Sequence, residues 1–382
     1  MKPHQHRTKH RAKASVPSNV APGGFILAAT LWALAAVVVA AAYINGVTET
    51  NVENARQTKL MLQAELDRRS TEATLLYLIA TNQMTHTSLL LETEQRFGIS
   101  TVAANAALRD QSPAGEPRLA GEPRMAGAER LPGEPFPVGE LSLAGDPYAG
   151  LGDTGFSIQD ELGLISVNQP RDPLFAAMME SVGVAEDDVA RLVPRIVDYT
   201  DVNDRRSLDG AETHHYLEAG LPPPANWFLA TPTEMNRVLG AAEVIDAAQW
   251  RRLRDMATPR IHVGVNFNTM PVPVAKAVLG VEEDVLDTFL AERAEHPIAS
   301  YARVQELTGA SPPVDPVTVA VIPSRFLRIT TWWVGGAPRS VVGITLTPAS
   351  RIGPWRTEYR YSEPVDRNRV LAQPPTPLLG GP

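Results

Sequence analysis

The 382-residue chain contains no cysteine, which excludes disulfides, thiolate metal sites and a cysteine nucleophile. It has no Gly-x-Ser-x-Gly, no His-Glu-x-x-His and no phosphate-binding glycine loop, so nothing supplies a nucleophile or base beside its carboxylates. The net charge of −8 comes with no basic stripe, which argues against nucleic acid as a partner. Packing, helped by a hard cation if one binds, is left to stabilise an exported body. With 44% apolar residues, the chain can bury one large core or two modest ones.

Two further absences fix the N-terminus. No charged residue occurs from 25 to 44, and twenty residues of helix span about 30 Å, one hydrocarbon thickness. No acid precedes Glu49, whereas Lys2, Arg7, Lys9, Arg11 and Lys13 do, so the N-terminus is expected in the cytoplasm and the bulk of the chain outside. A secretory signal peptide carries a small-x-small cleavage site beyond its apolar core. Here Gly23-Gly24 stands before that core, ahead of Phe25. On these residues alone, processing at Gly24 and an uncleaved signal-anchor helix are both open.

Residues 47–96 read as helix that continues the membrane segment, with Gly46 a candidate kink and the threonines near 81–87 weakening the pattern. From 111 to 150 the composition changes, with Gly115, Gly121, Gly127, Gly133, Gly139 and Gly145 in a six-residue register among prolines. Collagen needs glycine at every third residue, and glycine with proline this dense predicts a disordered insertion. On that reading, deleting residues 111–145 leaves folding intact.

Two alternating runs in residues 156–168 flank Glu161-Leu162-Gly163 and predict a hairpin. Helical patterns follow at 174–197, 233–256, 275–294 and 301–307, then strands at 326–334, 340–346 and 356–361, with Gly335-Gly336 as a turn. The order predicts an α+β fold with an all-α module inserted between strands.

Four clusters invite a chemical reading. Asp198, Asp201, Asn203, Asp204, Asp209 and Glu212 form an all-oxygen set suited to calcium. Arg205 and Arg206 rule out an EF-hand, and a solvated acidic loop with helix caps is the competing reading. His214 and His215 adjoin this loop and read as surface or packing residues. Asn266-x-Asn268-Thr269 before Pro271 predicts a helix cap. Trp332-Trp333 lies in a strand, so one ring is expected in the core and one outside, as a candidate partner contact.

The Gly24/Phe25 junction resembles the class III leader of type IV pilins and type II secretion pseudopilins, which a prepilin peptidase cuts after glycine before methylating the new N-terminus. Trp32 eight residues on, Asp160-Glu161-x-Gly163-x-Ile165-x-Val167-Asn168, the segment from Ile196-Val197-Asp198-Tyr199 to Gly210-Ala211-Glu212 and Tyr216, Asn266-Phe267-Asn268-Thr269-Met270-Pro271, and Ser324-Arg325-Phe326 resemble, in order, the K-class minor pseudopilins. Phe267, Met270 and the glycine-proline repeat depart from the pattern.

The resemblance implies a pilin-like fold, a long N-terminal hydrophobic helix packed on a small antiparallel sheet, with the helical domain inserted between strands. It divides the chain into a prepilin leader (1–24), the membrane and pilin helix (25–110, with Phe25, Ala29, Trp32 and Ile44 in the membrane), the repeat (111–152), first strands (153–169), inserted helical domain (170–315), final strands (316–363) and a disordered tail (364–382). It implies a non-enzymatic minor pseudopilin, single-pass in a Gram-negative inner membrane, that caps or initiates a periplasmic pseudopilus. The implied partners are other minor pseudopilins and the prepilin peptidase, with calcium as cofactor. A minor pilin of a type IV pilus or competence system, or a membrane-anchored enzyme, are the alternatives. Filament-forming pilins place glutamate at mature position five, where this chain has Ala29. A carboxylate in hydrocarbon costs roughly 2.5–3.5 kcal/mol, so it is worth keeping only beneath a neighbour's N-terminal ammonium. A subunit with nothing above it has none to meet.

Overall fold

The computed structural model describes residues 23–91, 139–334 and 338–363. The leader up to residue 22, the repeat up to residue 138, the Gly335-Gly336 turn and the tail from 364 lie outside the described residues. Two units divide the chain, residues 1–62 and residues 63–382.

Helix α1 (Gly23–Thr81) runs unbroken through Gly46. It stops well short of the expected residue 96. Asn82 turns back on Leu78 O through both its N–H and its side-chain amide, each at 2.9 Å. Thr85 then makes a side-chain turn with Ser88, the local competition that disfavours threonine in helices. Strand β1 (Ser88–Leu90) follows and pairs with β2 (Glu140–Ser142).

The main sheet is antiparallel, in the order β3 (Tyr148–Ala149), β4 (Thr154–Asp160), β7 (Phe326–Trp333), β8 (Arg339–Leu346), β9 (Trp355–Glu363). Leu75, Leu78 and Ile79 of α1 pack on Phe156, Ile158, Leu327, Ile329, Val342 and Ile344 to form one core. Leu141 and Leu143, both fully buried, belong to it. Residues 139–152 are therefore ordered, contrary to the reading of 111–152 as one disordered insertion. Their apolar side chains are too well spaced for β structure to be dismissed on glycine content.

The expected hairpin at 156–168 is also corrected. β4 pairs with β3 and β7, with Ile158 opposite Ile329, while β5 (Ile165–Ser166) pairs in parallel with β6 (Ala257–Thr258). Glu161–Gly163 forms a 3-10 turn capped by Asp160. Residues 161–325 are thus inserted between two neighbouring strands. Within them lie α2 (Pro173–Ser181), α3 (Glu186–Thr200), α4 (Thr213–Glu218), α5 (Ala241–Val244), α6 (Ala247–Met256), α7 (Val272–Leu279), α8 (Glu283–Glu295) and α9 (Tyr301–Thr308). The pattern at 174–197 is broken by Gly183 at φ 90° and that at 275–294 by Gly280 at φ 61°, where left-handed backbone ends a helix. A second apolar core fills this module, including Phe175, Ile196, Tyr216, Phe267 and Phe289. It is helical apart from the two-residue β5–β6 pair.

Candidate assembly and cation site

Between the two apolar cores the seam is polar. At the end of β4, Asp160 is wholly buried. Its Oδ1 accepts from Ser324 Oγ at 2.6 Å and from the N–H groups of Leu162 and Ser324 at 3.2 Å, and its Oδ2 accepts from Thr269 Oγ1 at 2.8 Å and Asn266 Nδ2 at 3.1 Å. Burial pushes this carboxyl up, against the donors that hold it down. Gln159 Nε2 adds a bond to Thr269 O at 2.9 Å. One carboxylate thus joins the first strand, the loop before α7 and the re-entry into β7.

This network corrects the expected helix cap. Pro271 occupies the N-cap of α7 and no side chain caps it. Asn266 and Thr269 are spent on Asp160, and Asn268 bridges Ile298 and Val321, donating to both carbonyls and accepting from Ile298 N at 2.7 Å. Asn168 acts likewise toward Leu229 and Pro259. Asparagines, Asn268 buried and Asn168 half-buried, replace missing strand partners here, because backbone groups in irregular buried segments must be satisfied.

Arginines rivet the remainder of the seam. Buried Arg328 of β7 donates to Ala257 O at 2.9 Å, and Arg339 of β8 pairs with Asp255 at 2.9 Å and with Glu363. Arg260 pairs with Glu161 at 3.0 Å and stacks over Phe326 at 3.9 Å. Glu161, fully buried, also accepts from Thr258 and Tyr359. Sequence reading missed these arginines; for Arg328 and Arg339 an arginine inside an apolar strand was the available signal, whereas Arg260 lies in the segment after β6.

The module joins the sheet at the Thr81 end of α1. Gly150 and Leu151 lie against Thr71, and Arg68 reaches Thr331 at 3.3 Å. Beyond the helix, His86 Nδ1 is 3.1 Å from Val321 O, next to the module's exit. Arg360 of β9 clamps Glu72 with two bonds of 2.6 and 2.9 Å.

Gly24 and Phe25 lie in the first turn of α1, and Ala29, Trp32 and Ile44 follow on the same helix, Trp32 being 79% exposed. Among the described residues, α1 is the one helix long and apolar enough to cross a membrane. Of the tryptophan pair, neither ring enters the core, correcting the expected alternation. Trp332 lies over Gly155, its cross-strand neighbour, so that the absent Cβ leaves room for the indole, and both rings are half-buried.

The acidic set lies between α3 and α4. Asp198, buried in the last turns of α3, accepts from Ser207 N at 3.0 and 3.2 Å, and Gly210 packs so close to it that any Cβ would collide. Asp201 and Asn203 accept from the N–H groups of Asn203 and Arg205, and Asp209 turns the loop at φ 62°. Glu212 is 5% exposed and neither carboxylate oxygen has a hydrogen-bond partner. Burial first, then Asp198, Asp201 and Asp204, push its carboxyl up to about 7. His214 pairs with Glu218 at 3.0 Å on the surface and His215 accepts from Glu212 N, in keeping with structural roles. No three His, Asp or Glu groups among the described residues are arranged to hold a metal. The loop instead holds an orphaned carboxylate in a negative field.

No curated protein matches the chain. A chain in the crystal structure of the GspK-GspI-GspJ complex from the enterotoxigenic Escherichia coli type 2 secretion system aligns with 15% identity and a TM-score of 0.47, covering 82% of this chain and all of that one. Residues 157–258, from β4 through the acidic loop to β6, match the family model described as type II secretion system (T2SS), protein K. Through that segment the chain is similar to protein K of type II secretion, and its long N-terminal helix packed on an antiparallel sheet, with a helical module inserted between strands, is a pilin-like α+β fold.

Proposed function

We propose that this chain is a minor pseudopilin that caps or initiates a periplasmic pseudopilus, with its inserted module carried at the growing end. The observation that carries the reading is the place of the module. It enters and leaves at the Thr81 end of α1, after the sheet-packed turns of that helix, and is riveted there by Asp160 and the arginines. A body so placed blocks stacking of another subunit above it, and Ala29 lacks the carboxylate such a subunit would neutralise. The work is recognition and mechanical coupling, without bond chemistry. The partners are other minor pseudopilins, as GspI and GspJ accompany GspK in the related complex, with α1 anchoring the chain once across an inner membrane, N-terminus in the cytoplasm.

The test is the intact N-terminus by mass spectrometry, after expression with and without a prepilin peptidase. A chain starting at N-methylated Phe25, seen only with the peptidase, is the expected result. Gly24→Val should abolish the shortened product; normal processing of that variant would overturn the leader reading.

For the acidic loop we propose calcium as the cation, on the chemistry of its donors, which would have to draw together from the positions they hold here to ligate it. The supporting features are the all-oxygen donors Asp198, Asp201, Asn203, Asp204, Asp209 and Glu212 and the orphaned Glu212 carboxylate. A bound cation would neutralise the field that raises Glu212 and stabilise the folded state by mass action. Without calcium, folded Glu212 holds its proton up to about pH 7 whereas the unfolded group releases it near the ordinary carboxyl value of 4.5. Stability from this group therefore falls as pH rises through that window and does not fall further above it. In thermal melts of the full chain in detergent, Glu212→Gln should flatten that fall and remove most of the calcium-dependent rise in Tm. A calcium response unchanged by the variant would remove Glu212 from the site.

A further inference from the structure

A cavity of 210 Å³ opens in the inserted module where β5, the start of α2 and the segments around residues 262–265 and 313–318 meet. Its walls are apolar, from Ile165, Leu174, Val265 and Val314, and two aspartates, Asp172 and Asp315, line it. No lysine or arginine lines it. Each aspartate spends one oxygen on a cap, Asp172 Oδ1 accepting from Leu174 N at 2.9 Å and Asp315 Oδ1 from Val317 N at 3.0 Å. No hydrogen bond or ion pair among the described residues takes the second oxygen of either.

His262 also lines the cavity and does not neutralise them. Burial holds its imidazole down in pKa, toward the neutral form. Nδ1 lies 3.0 Å from Gly264 O, which makes it the donor, and Nε2 is buried. Ser166, Gln169 and Thr318 add neutral polar groups, so the charged groups the cavity offers are the two aspartates, beside apolar walls. A divalent metal is disfavoured, since no three ligating groups converge.

We propose that this cavity receives a basic side chain, arginine or lysine, presented by a partner protein. Such a side chain has the matching polarity: an aliphatic stem for the valine and leucine walls and a charged, donor-only head for the aspartates. A polypeptide accounts for the surroundings better than a free amine. Val263, which lines the cavity, stands 78% exposed, and Val317, next in sequence to the lining Thr318, stands 91% exposed. A diffusible amine leaves those valines wet, whereas the chain flanking an inserted side chain covers them.

The experiment uses the full chain in detergent micelles with methyl-labelled valine and leucine. The probes are N-acetyl-arginine amide, its neutral isostere N-acetyl-citrulline amide, agmatine as a free amine, and a hexapeptide with arginine between apolar residues. The expected result is saturable shifts of the Val263, Val265 and Val314 methyls with the arginine amide and none with citrulline. The peptide should bind more tightly than agmatine. The double variant Asp172→Asn, Asp315→Asn should bind at least about tenfold more weakly. Asparagine caps helices as well as aspartate, so this variant keeps the fold, as an otherwise unchanged methyl spectrum would verify. Equal shifts with citrulline, or unaltered binding by the double variant, would overturn the proposal. Tighter binding of agmatine than of the peptide would overturn the partner protein as occupant.

Discussion

Asp160→Ala is expected to lower the stability of the folded body by about 3–5 kcal/mol, the usual penalty for breaking one side of a buried charged network. The variant strands five donors at once: the hydroxyls of Ser324 and Thr269, the Asn266 amide, and the backbone N–H groups of Leu162 and Ser324. These donors belong to the start of the module, its middle and its exit, so the loss is not local. Asp160→Asn should recover only part of it, because one oxygen becomes an amide that faces donors. Urea unfolding of the full chain in detergent, followed by tryptophan fluorescence, reads the effect as a drop in midpoint. A midpoint within error of wild type would mean that the knot is not what holds the seam. Total stabilities of roughly 5–15 kcal/mol leave little margin for such a loss.

Leu143→Ala should cost about 2–5 kcal/mol, the range for a fully buried leucine whose cavity cannot collapse. Leu143 is sealed against the α1–sheet core together with Leu141, and its N–H donates to Thr87 O at 2.9 Å while its carbonyl accepts from Asp160 N at 2.8 Å. Deleting residues 111–145 removes both leucines and all of β2, so that deletion should abolish cooperative unfolding rather than leave folding intact. A deletion confined to residues 111–135 spares them. Comparing the two truncations by thermal melt separates the roles, and a cooperative melt for the longer one would show that β2 is dispensable.

These two predictions mark where the sequence was legible and where it was not. The final strands emerged within a residue or two of β7, β8 and β9, because alternation beside a glycine turn is a local signal, and α9 emerged for the same reason. The breaks at Gly183 and Gly280 were written in the sequence as glycines inside apolar periodicity, and were passed over. The longer partner of β4, β7, was not legible locally, since it begins at Phe326, beyond the whole module. Asp160, Asn266, Thr269 and Ser324 each stood in a quoted motif. Their convergence depends on three-dimensional closure, and asparagine before a proline reads first as a cap. For the acidic loop, composition supplied the residues, while the stranded carboxylate of Glu212 needed coordinates.

The insertion has a consequence for the order in which the molecule assembles. Topologically the module is the loop of a β-hairpin, since Asp160 and Leu327 are direct partners across β4 and β7. An unstructured loop of that length imposes a closure entropy on the pairing before any contact rewards it, and such distant pairings are slow. A folded module removes that entropy by holding its two ends side by side, as the Asp160 to Ser324 bond does. The central strands are therefore expected to wait on the module: until it closes, β7 lacks β4 as a template on which to zip.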